Sequence, residues 1–182
     1  IRARQTLVQD LTPIVNAKYQ TLINDAKAFT IEYRPNVEIA NIDAITDAFA
    51  AALQKNAGRE RRQGTSLVGP HRDDFRFNVA GYDLRKFGSR GEHKSALVSL
   101  KAAEAIILKE QTETAPILLL DDLYAELDKE RGHHVLTLFD ADCQLFITGT
   151  SLDYAALQQT TDRPQNSQTF FVKAGEVTRG DS

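Results

Sequence analysis

Ile117-Leu118-Leu119-Leu120-Asp121-Asp122 is an unbroken apolar run that ends in two aspartates, with Pro116 in front of it. So short a run behind a proline fits a strand covered on both faces. The acids constrain the fold further. In a parallel sheet, ligands bind just beyond the carboxyl ends of the strands, and two adjacent carboxylates there need a cation or hydrogen-bond donors. Gln144-Leu145-Phe146-Ile147-Thr148 reads as a second buried strand. A helix is expected between them, from Lys129 to Phe139, with Asp128 as its N-cap. Strand, helix, strand implies a right-handed parallel crossover. The expected class is α/β, a parallel sheet flanked by helices.

The chain before this unit is organised differently. Leu7, Leu11, Ile14 or Val15, and Leu22 recur at helical steps, giving a helix from residue 1 to about residue 29, with a kink or fresh start at Thr12-Pro13. Phe29 to Tyr33 alternates like a strand. Ile42, Ile45, Phe49, Ala52 and Leu53 mark a helix ending near Arg62. The stretch Gly58-Arg59-Glu60-Arg61-Arg62-Gln63-Gly64 sets the organisational boundary: residues 1–64 form a helical segment and residues 65–182 an α/β unit. Its basic cluster reads first as a solvated helix end and second as a nucleic-acid contact. Within 65–182, Ser66 to Pro70 reads as a short strand and turn, and Phe75 to Val79 as a strand turned at Ala80-Gly81. Phe87 to Gly91 reads as a glycine-bearing loop. Glu92 to about Gln111 reads as a helix with Leu97, Leu100, Ala103 and Ile107 inward, and Thr169 to Lys173 as a last strand.

Charge follows the same division. Residues 1–64 carry 9 basic and 7 acidic side chains, residues 65–115 carry 8 and 7, and residues 116–182 carry 5 and 11. The acidic excess lies near Asp121, Asp122, Glu126 and Asp128, a composition that suits a metal cation better than direct contact with phosphates. A nucleic-acid surface belongs to the more basic first part. The single Cys143 excludes an intrachain disulfide and a multi-cysteine zinc site, and fits a reducing, cytoplasmic compartment. No apolar run approaches the ~20 residues of a membrane helix. The 182 residues contain no Met, which suggests a segment of a longer protein.

A second motif gives the acids a context. Ser89-Arg90-Gly91-Glu92 opens the long helix. A helix N-terminus with a serine hydroxyl and free backbone N–H groups suits an anion, and a plain N-cap needs the same residues. The order is then Ser-x-Gly loop, helix, apolar strand with paired acids, Ala125-Glu126-Leu127-Asp128, and a strand ending in Thr148-Gly149-Thr150. That set resembles the second half of an ABC-type P-loop ATPase head, with signature loop, Walker B strand, D-loop and switch position in turn. Together with Gly69-Pro70-His71-Arg72-Asp73-Asp74 it is similar to the RecF family of bacterial DNA replication and repair proteins, with matching motifs over residues 65–152. The resemblance makes residues 65–182 the C-terminal lobe of the head and residues 1–64 part of a helical arm.

The resemblance implies an ATP-dependent homodimer that binds DNA at gaps and single-strand/double-strand junctions and acts with RecO and RecR to help RecA load. It implies that Ser89, Arg90, Gly91 and Glu92 meet ATP bound to the other subunit, and that Asp121 holds Mg²⁺. Asp122 would polarise water, Asp128 would connect the two sites, and Thr148 would sense the phosphate. Two positions depart from the family pattern. Glu92 stands where Gln is usual, an added negative charge to be offset by Arg90, Lys94 or Mg²⁺ and eased by its place in the first helical turn. Ala125 stands where a small hydroxyl residue is common. No role follows for His71, Arg72, Asp73 and Asp74; a buried ion-pair network and DNA contact both remain open.

No Gly-x-x-x-x-Gly-Lys-Ser/Thr occurs in the chain. Without that phosphate-cradling loop these residues cannot form a nucleotide site alone, so the chain is expected to be the C-terminal half of such a protein, starting inside the arm. Other readings are an SMC-like repair ATPase, disfavoured by the short arm broken at Pro13 and Pro35, and an inert fragment serving only as a binding surface. A phospho-receiver domain is disfavoured because only 60 residues follow Asp122.

Overall fold

The computed structural model describes residues 1–39, 44–121, 134–149 and 168–180. Helix α1 spans Arg2–Ile23 and strand β1 Phe29–Arg34. Helix α2 spans Ile45–Gln63, and a 3₁₀ turn covers Pro70–Arg72. Strands β2 (Asp74–Val79) and β3 (Tyr82–Asp83) lead into α3 (Leu84–Phe87) and α4 (Arg90–Thr112). Strands β4 (Ile117–Leu120) and β5 (Gln144–Ile147) follow, then β6 (Phe170–Lys173) and β7 (Glu176–Arg179).

The acid-tipped strand is where the sequence puts it. β4 and β5 pair in parallel, Leu119 opposite Phe146 and Leu120 opposite Ile147. Only one face of this pair is covered. Leu120 packs with Leu22, Val98, Ala102, Val135, Leu138 and Phe139, with Leu118, Leu145 and Ile147 beside them. The other face leaves Ile117 64%, Leu119 75% and Phe146 51% exposed. The expected two-sided burial is therefore absent among the described residues: a two-strand sheet has one layer against it, and alternation sends every second side chain outward.

The remaining strands are antiparallel. β1 pairs with β2 (Ile31 opposite Phe77) and β2 with β3, because the chain leaves β1, runs out along α2 and returns in the reverse direction. One core joins elements on both sides of residue 64: Val15 and Tyr19 of α1, Phe29 and Ile31 of β1, Val79 of β2, and Ala96 and Ala103 of α4. α1 lies along α4, where Ser95, Ser99, Ala102 and Ala103 are buried small side chains that allow close approach. α2, in contrast, buries no residue.

Several expected elements change at points with a physical cause. α1 runs through Pro13 as one helix and stops at Asn24, which takes the left-handed conformation at φ 50°. Ser66 to Pro70 forms no strand, because the backbone N–H groups of Leu67 and Val68 are taken by Glu60. On α4, Ala103 is buried and Leu100 packs on the core as expected, but Leu97 points outward (51% exposed) and its place is taken by Val98 and Ala102. β6 is not the last strand: Ala174-Gly175 turns it into β7, with Val172 opposite Val177. The expected helix from Lys129 to Phe139, with its Asp128 cap, lies mostly outside the described residues.

Candidate nucleotide site

Ser89 is the N-cap of α4. Its Oγ accepts from the Glu92 N–H at 3.2 Å, and its own N–H donates to Glu92 Oε2 at 2.9 Å. This reciprocal capping box satisfies two helix-end donors and sets the first turn, which holds Arg90 and Gly91. The loop before it is shorter than the sequence suggests, since α3 occupies Leu84–Phe87. Gly88 is required at the joint: a Cβ there would lie 2.6 Å from both Leu84 Cδ1 and the Leu84 carbonyl oxygen. Ser89 and Arg90 are exposed, and Phe87 beside them is 70% exposed, a large apolar side chain facing solvent.

The charge of Glu92 is handled by a residue the sequence reading missed. The Tyr82 hydroxyl donates to Glu92 Oε1. That bond first, and the Ser89 N–H second, hold the Glu92 carboxyl below its ordinary range; the carboxylate in turn raises the Tyr82 phenol. The expected partners Arg90 and Lys94 are not the ones used. Tyr82 lies ten residues upstream, on β3 and before α3, and no spacing rule connects it to the helix start.

At the other end of the unit, Asp121 follows β4 and Thr148 follows β5. The Thr148 N–H donates to the Leu120 carbonyl oxygen at 3.0 Å, extending the ladder by one residue. The Thr148 hydroxyl donates to Asp121 Oδ1. Both residues are exposed at the carboxyl ends of the parallel strands. Among the described residues no hydrogen bond joins Ser89 to Asp121, so the signature residues and the acid–hydroxyl pair form two separate groups. Asp122, Glu126, Asp128 and Thr150 lie outside the described residues.

The motif from Gly69 to Asp74 resolves into an internal lock. The Asp73 side chain is 2% exposed and accepts from Arg4 Nη1 at 2.5 Å, Tyr33 OH at 2.5 Å and Asn36 N at 2.9 Å. Burial alone would raise its carboxyl; the bonds from Asn36, Tyr33 and Arg4 outweigh that and hold it below the usual range. Arg4 also donates to the Pro70 carbonyl oxygen. Gly69 adopts φ +151°, and a Cβ there would strike the His71 ring at 2.6 Å. Of the two readings open at the sequence, Asp73 takes the buried ion pair. His71 and Arg72 remain exposed.

Together these features define an α/β unit in which a capped helix start and an acid-tipped parallel strand are both in place. Comparison with known proteins narrows it. The chain is similar to the DNA replication and repair protein RecF of Geotalea daltonii (38% identical over 180 residues), of Streptococcus thermophilus (36% over 177) and of Nostoc punctiforme (36% over 179). Each match covers 97% of this chain and 47–48% of the relative. The structure of the recombination mediator protein RecF with ATP, from the RecFOR pathway, matches 99% of this chain and 46% of its own with a TM-score of 0.75 at 24% identity. No protein-family model matches the chain. Over its own length the chain is thus homologous to RecF, fits its C-terminal portion, and spans about half the length of the curated relatives it matches. Among the described residues no helix is long and apolar enough to cross a membrane.

Proposed function

We propose that this chain is the signature and Walker B half of a RecF-type, ATP-dependent DNA-binding dimer. The observation that carries the reading is the Asp121–Thr148 pair at the carboxyl ends of two parallel strands, in a chain whose α4 opens on a capped Ser-x-Gly turn. Residues 65–182 form the C-terminal lobe of the head, and residues 1–64 belong to an arm whose α1 and β1 share that lobe's core. The open β4–β5 face, with Ile117, Leu119 and Phe146, is covered by the rest of the head, as parallel sheets require.

In this reading ATP is bound by a Walker loop outside this chain and is closed over by the Ser89 turn of the other subunit. The first-turn N–H groups of α4 and the Ser89 hydroxyl present donors and a positive dipole end to the γ-phosphate. Phe87 adds apolar contact beside it. Tyr82 and the Ser89 N–H keep the Glu92 carboxylate turned back onto its own loop, so the phosphate does not meet a free negative charge. Asp121 supplies a carboxylate oxygen of the kind Mg²⁺ takes, and Thr148, whose hydroxyl is held on that carboxylate, is placed to sense the phosphate. Mg²⁺, when bound, supplies charge neutralisation. Asp122, the next residue, orients and deprotonates the attacking water.

Closure needs both subunits, so ATP joins them and hydrolysis releases them. On this basis the whole protein is a slow cytoplasmic ATPase that clamps gapped DNA and single-strand/double-strand junctions and works with RecO and RecR toward RecA loading. In a longer protein carrying the Walker loop, Asp122→Asn is expected to slow ATP turnover by roughly 100-fold or more and to lengthen the lifetime of the dimer. Single-turnover kinetics and sedimentation measure the two; unchanged turnover removes Asp122 from the chemistry.

A further inference from the structure

The end of α2 contains an acid in an unfavourable place. Glu60 lies in the last turn, where the helix dipole repels a carboxylate, yet its carboxyl is held below the usual range, first by the Leu67 N–H and further by Val68, Ser66 and the charge of His71. The geometry explains why. The N–H groups of Leu67 (2.6 Å) and Val68 (3.2 Å) both donate to one oxygen, Glu60 Oε1, and the Ser66 hydroxyl lies within reach of that oxygen (3.2 Å) and of the Val68 carbonyl oxygen (3.0 Å), with one proton to give to either. Consecutive backbone N–H groups converging on one point make an anion-binding concavity. Here its occupant is the chain's own carboxylate.

Cations gather round the same turn. The Arg72 guanidinium donates to the Ser66 carbonyl oxygen (2.7 and 3.0 Å) and to Thr65 Oγ1 (3.3 Å). Among the described residues no carboxylate is in ion-pair reach of it. Arg59, Arg61 and Arg62 are exposed on the last turns of α2, and His71 is exposed next to Arg72. Asp73 cannot neutralise them, being committed to Arg4, Tyr33 and Asn36.

We propose that the Ser66–Val68 turn, with Arg72, is a binding site for a phosphate group, closed by the Glu60 carboxylate and opened when a DNA backbone phosphate displaces it. Phosphate satisfies the same two N–H groups and the hydroxyl, and its further oxygens reach the guanidinium, which a carboxylate on α2 does not. Glu60 then acts as a built-in competitor that sets a threshold for binding. The choice of DNA as the source rests on the function proposed above; the phosphate site itself does not.

The test is an amide-resolved NMR titration of the 182-residue chain with inorganic phosphate and, separately, with a short duplex, each against chloride at equal ionic strength. Glu60→Gln is expected to tighten both by roughly 3- to 10-fold, the effect of removing one competing exposed charge, with shifts at Leu67 and Val68. Arg72→Gln in that background is expected to reverse the gain. If phosphate tightens but the duplex does not, the site stands and DNA as its occupant is overturned. If neither tightens, or if the shifts bypass Leu67 and Val68, Glu60 is only a strut and the proposal fails. Should Glu60→Gln loosen the turn, Arg72→Gln in the native background decides: it must weaken the phosphate-induced shifts at Leu67 and Val68, and unaltered shifts overturn the proposal.

Discussion

Asp73 joins three parts of the chain that are far apart in sequence: Arg4 on α1, Tyr33 at the end of β1, and Asn36 in the loop after it. Replacing one member of such a buried pair leaves the other charge uncompensated. Asp73→Asn is therefore expected to cost roughly 2–3 kcal/mol, discounted for the partly exposed Arg4, and urea unfolding measures it. Neighbouring Asp74, at 62% side-chain exposure, pairs only loosely with Arg85; its replacement should change stability by less than about 0.5 kcal/mol. The sequence showed both acids and a family motif, but not which acid turns inward. That depends on Arg4, almost seventy residues away, and no local pattern encodes it. Ser89 was legible as an N-cap because a serine ahead of a helical period is a helix-start signal, whereas its reciprocal bond with Glu92 was not read, although the three-residue spacing of a capping box carries it. Tyr82 has no such spacing to carry it.

Tyr82 also gives the α4 cap a pH dependence. The folded Glu92 carboxyl lies below its ordinary value of 4.5, so its contribution is complete above that pH and fades as pH falls through the folded value. Tyr82→Phe is expected to cost about 1 kcal/mol near neutral pH, and the difference from the native chain should shrink under acid conditions. Equal differences at all pH values would mean that the bond does not involve the ionised carboxyl.

Among the larger elements, the long strongly patterned ones were readable and the weakly patterned ones were not. α4 and β4 follow from a helical apolar period and a continuous apolar run. The sequence did not show that β4 is open on one face, because burial of a parallel strand depends on neighbours that the strand does not specify. The inward face of α4 is wider than the expected stripe, because Ser95 and Ser99, polar by composition, are buried beside Ala102 and Ala103. The β6–β7 hairpin is the opposite case. It is well paired internally, but every residue of both strands is exposed. An isolated two-strand hairpin is marginal in water. Hydrogen exchange in the chain alone should show amides of β6 and β7 exchanging near the rate of local opening, while those of β1 and β2, which enclose Phe29 and Val79, are protected toward the global limit. Strong protection of the hairpin would mean that its apolar side, Phe170, Val172 and Val177, is covered in solution.

Taken whole, the molecule keeps the Ser89 turn and the Asp121–Thr148 pair as two separate groups, which the proposed function brings together on one nucleotide. In the proposed reading the capped turn at Ser89 supplies donors for a phosphate and Asp121 an oxygen for Mg²⁺, while the sequence contains no Gly-x-x-x-x-Gly-Lys-Ser/Thr to hold the triphosphate. The chain also covers 48% of the first RecF relative it matches and leaves an apolar sheet face exposed. Each fact is explained if nucleotide binding is completed across subunits and by sequence outside the chain. The last third of the sequence, with 11 acids against 5 bases, contains Asp121, and the basic residues near Arg59 to Arg72 are those we assign to phosphates of another kind. The most direct test is sedimentation of a longer protein carrying the Walker loop, native and Ser89→Arg, with and without ATP. The native protein should dimerise only with ATP, and Ser89→Arg should bind ATP normally but stay monomeric. A Ser89→Arg protein that still dimerises, or that loses ATP binding within the monomer, would contradict a signature turn acting on the nucleotide of the other subunit.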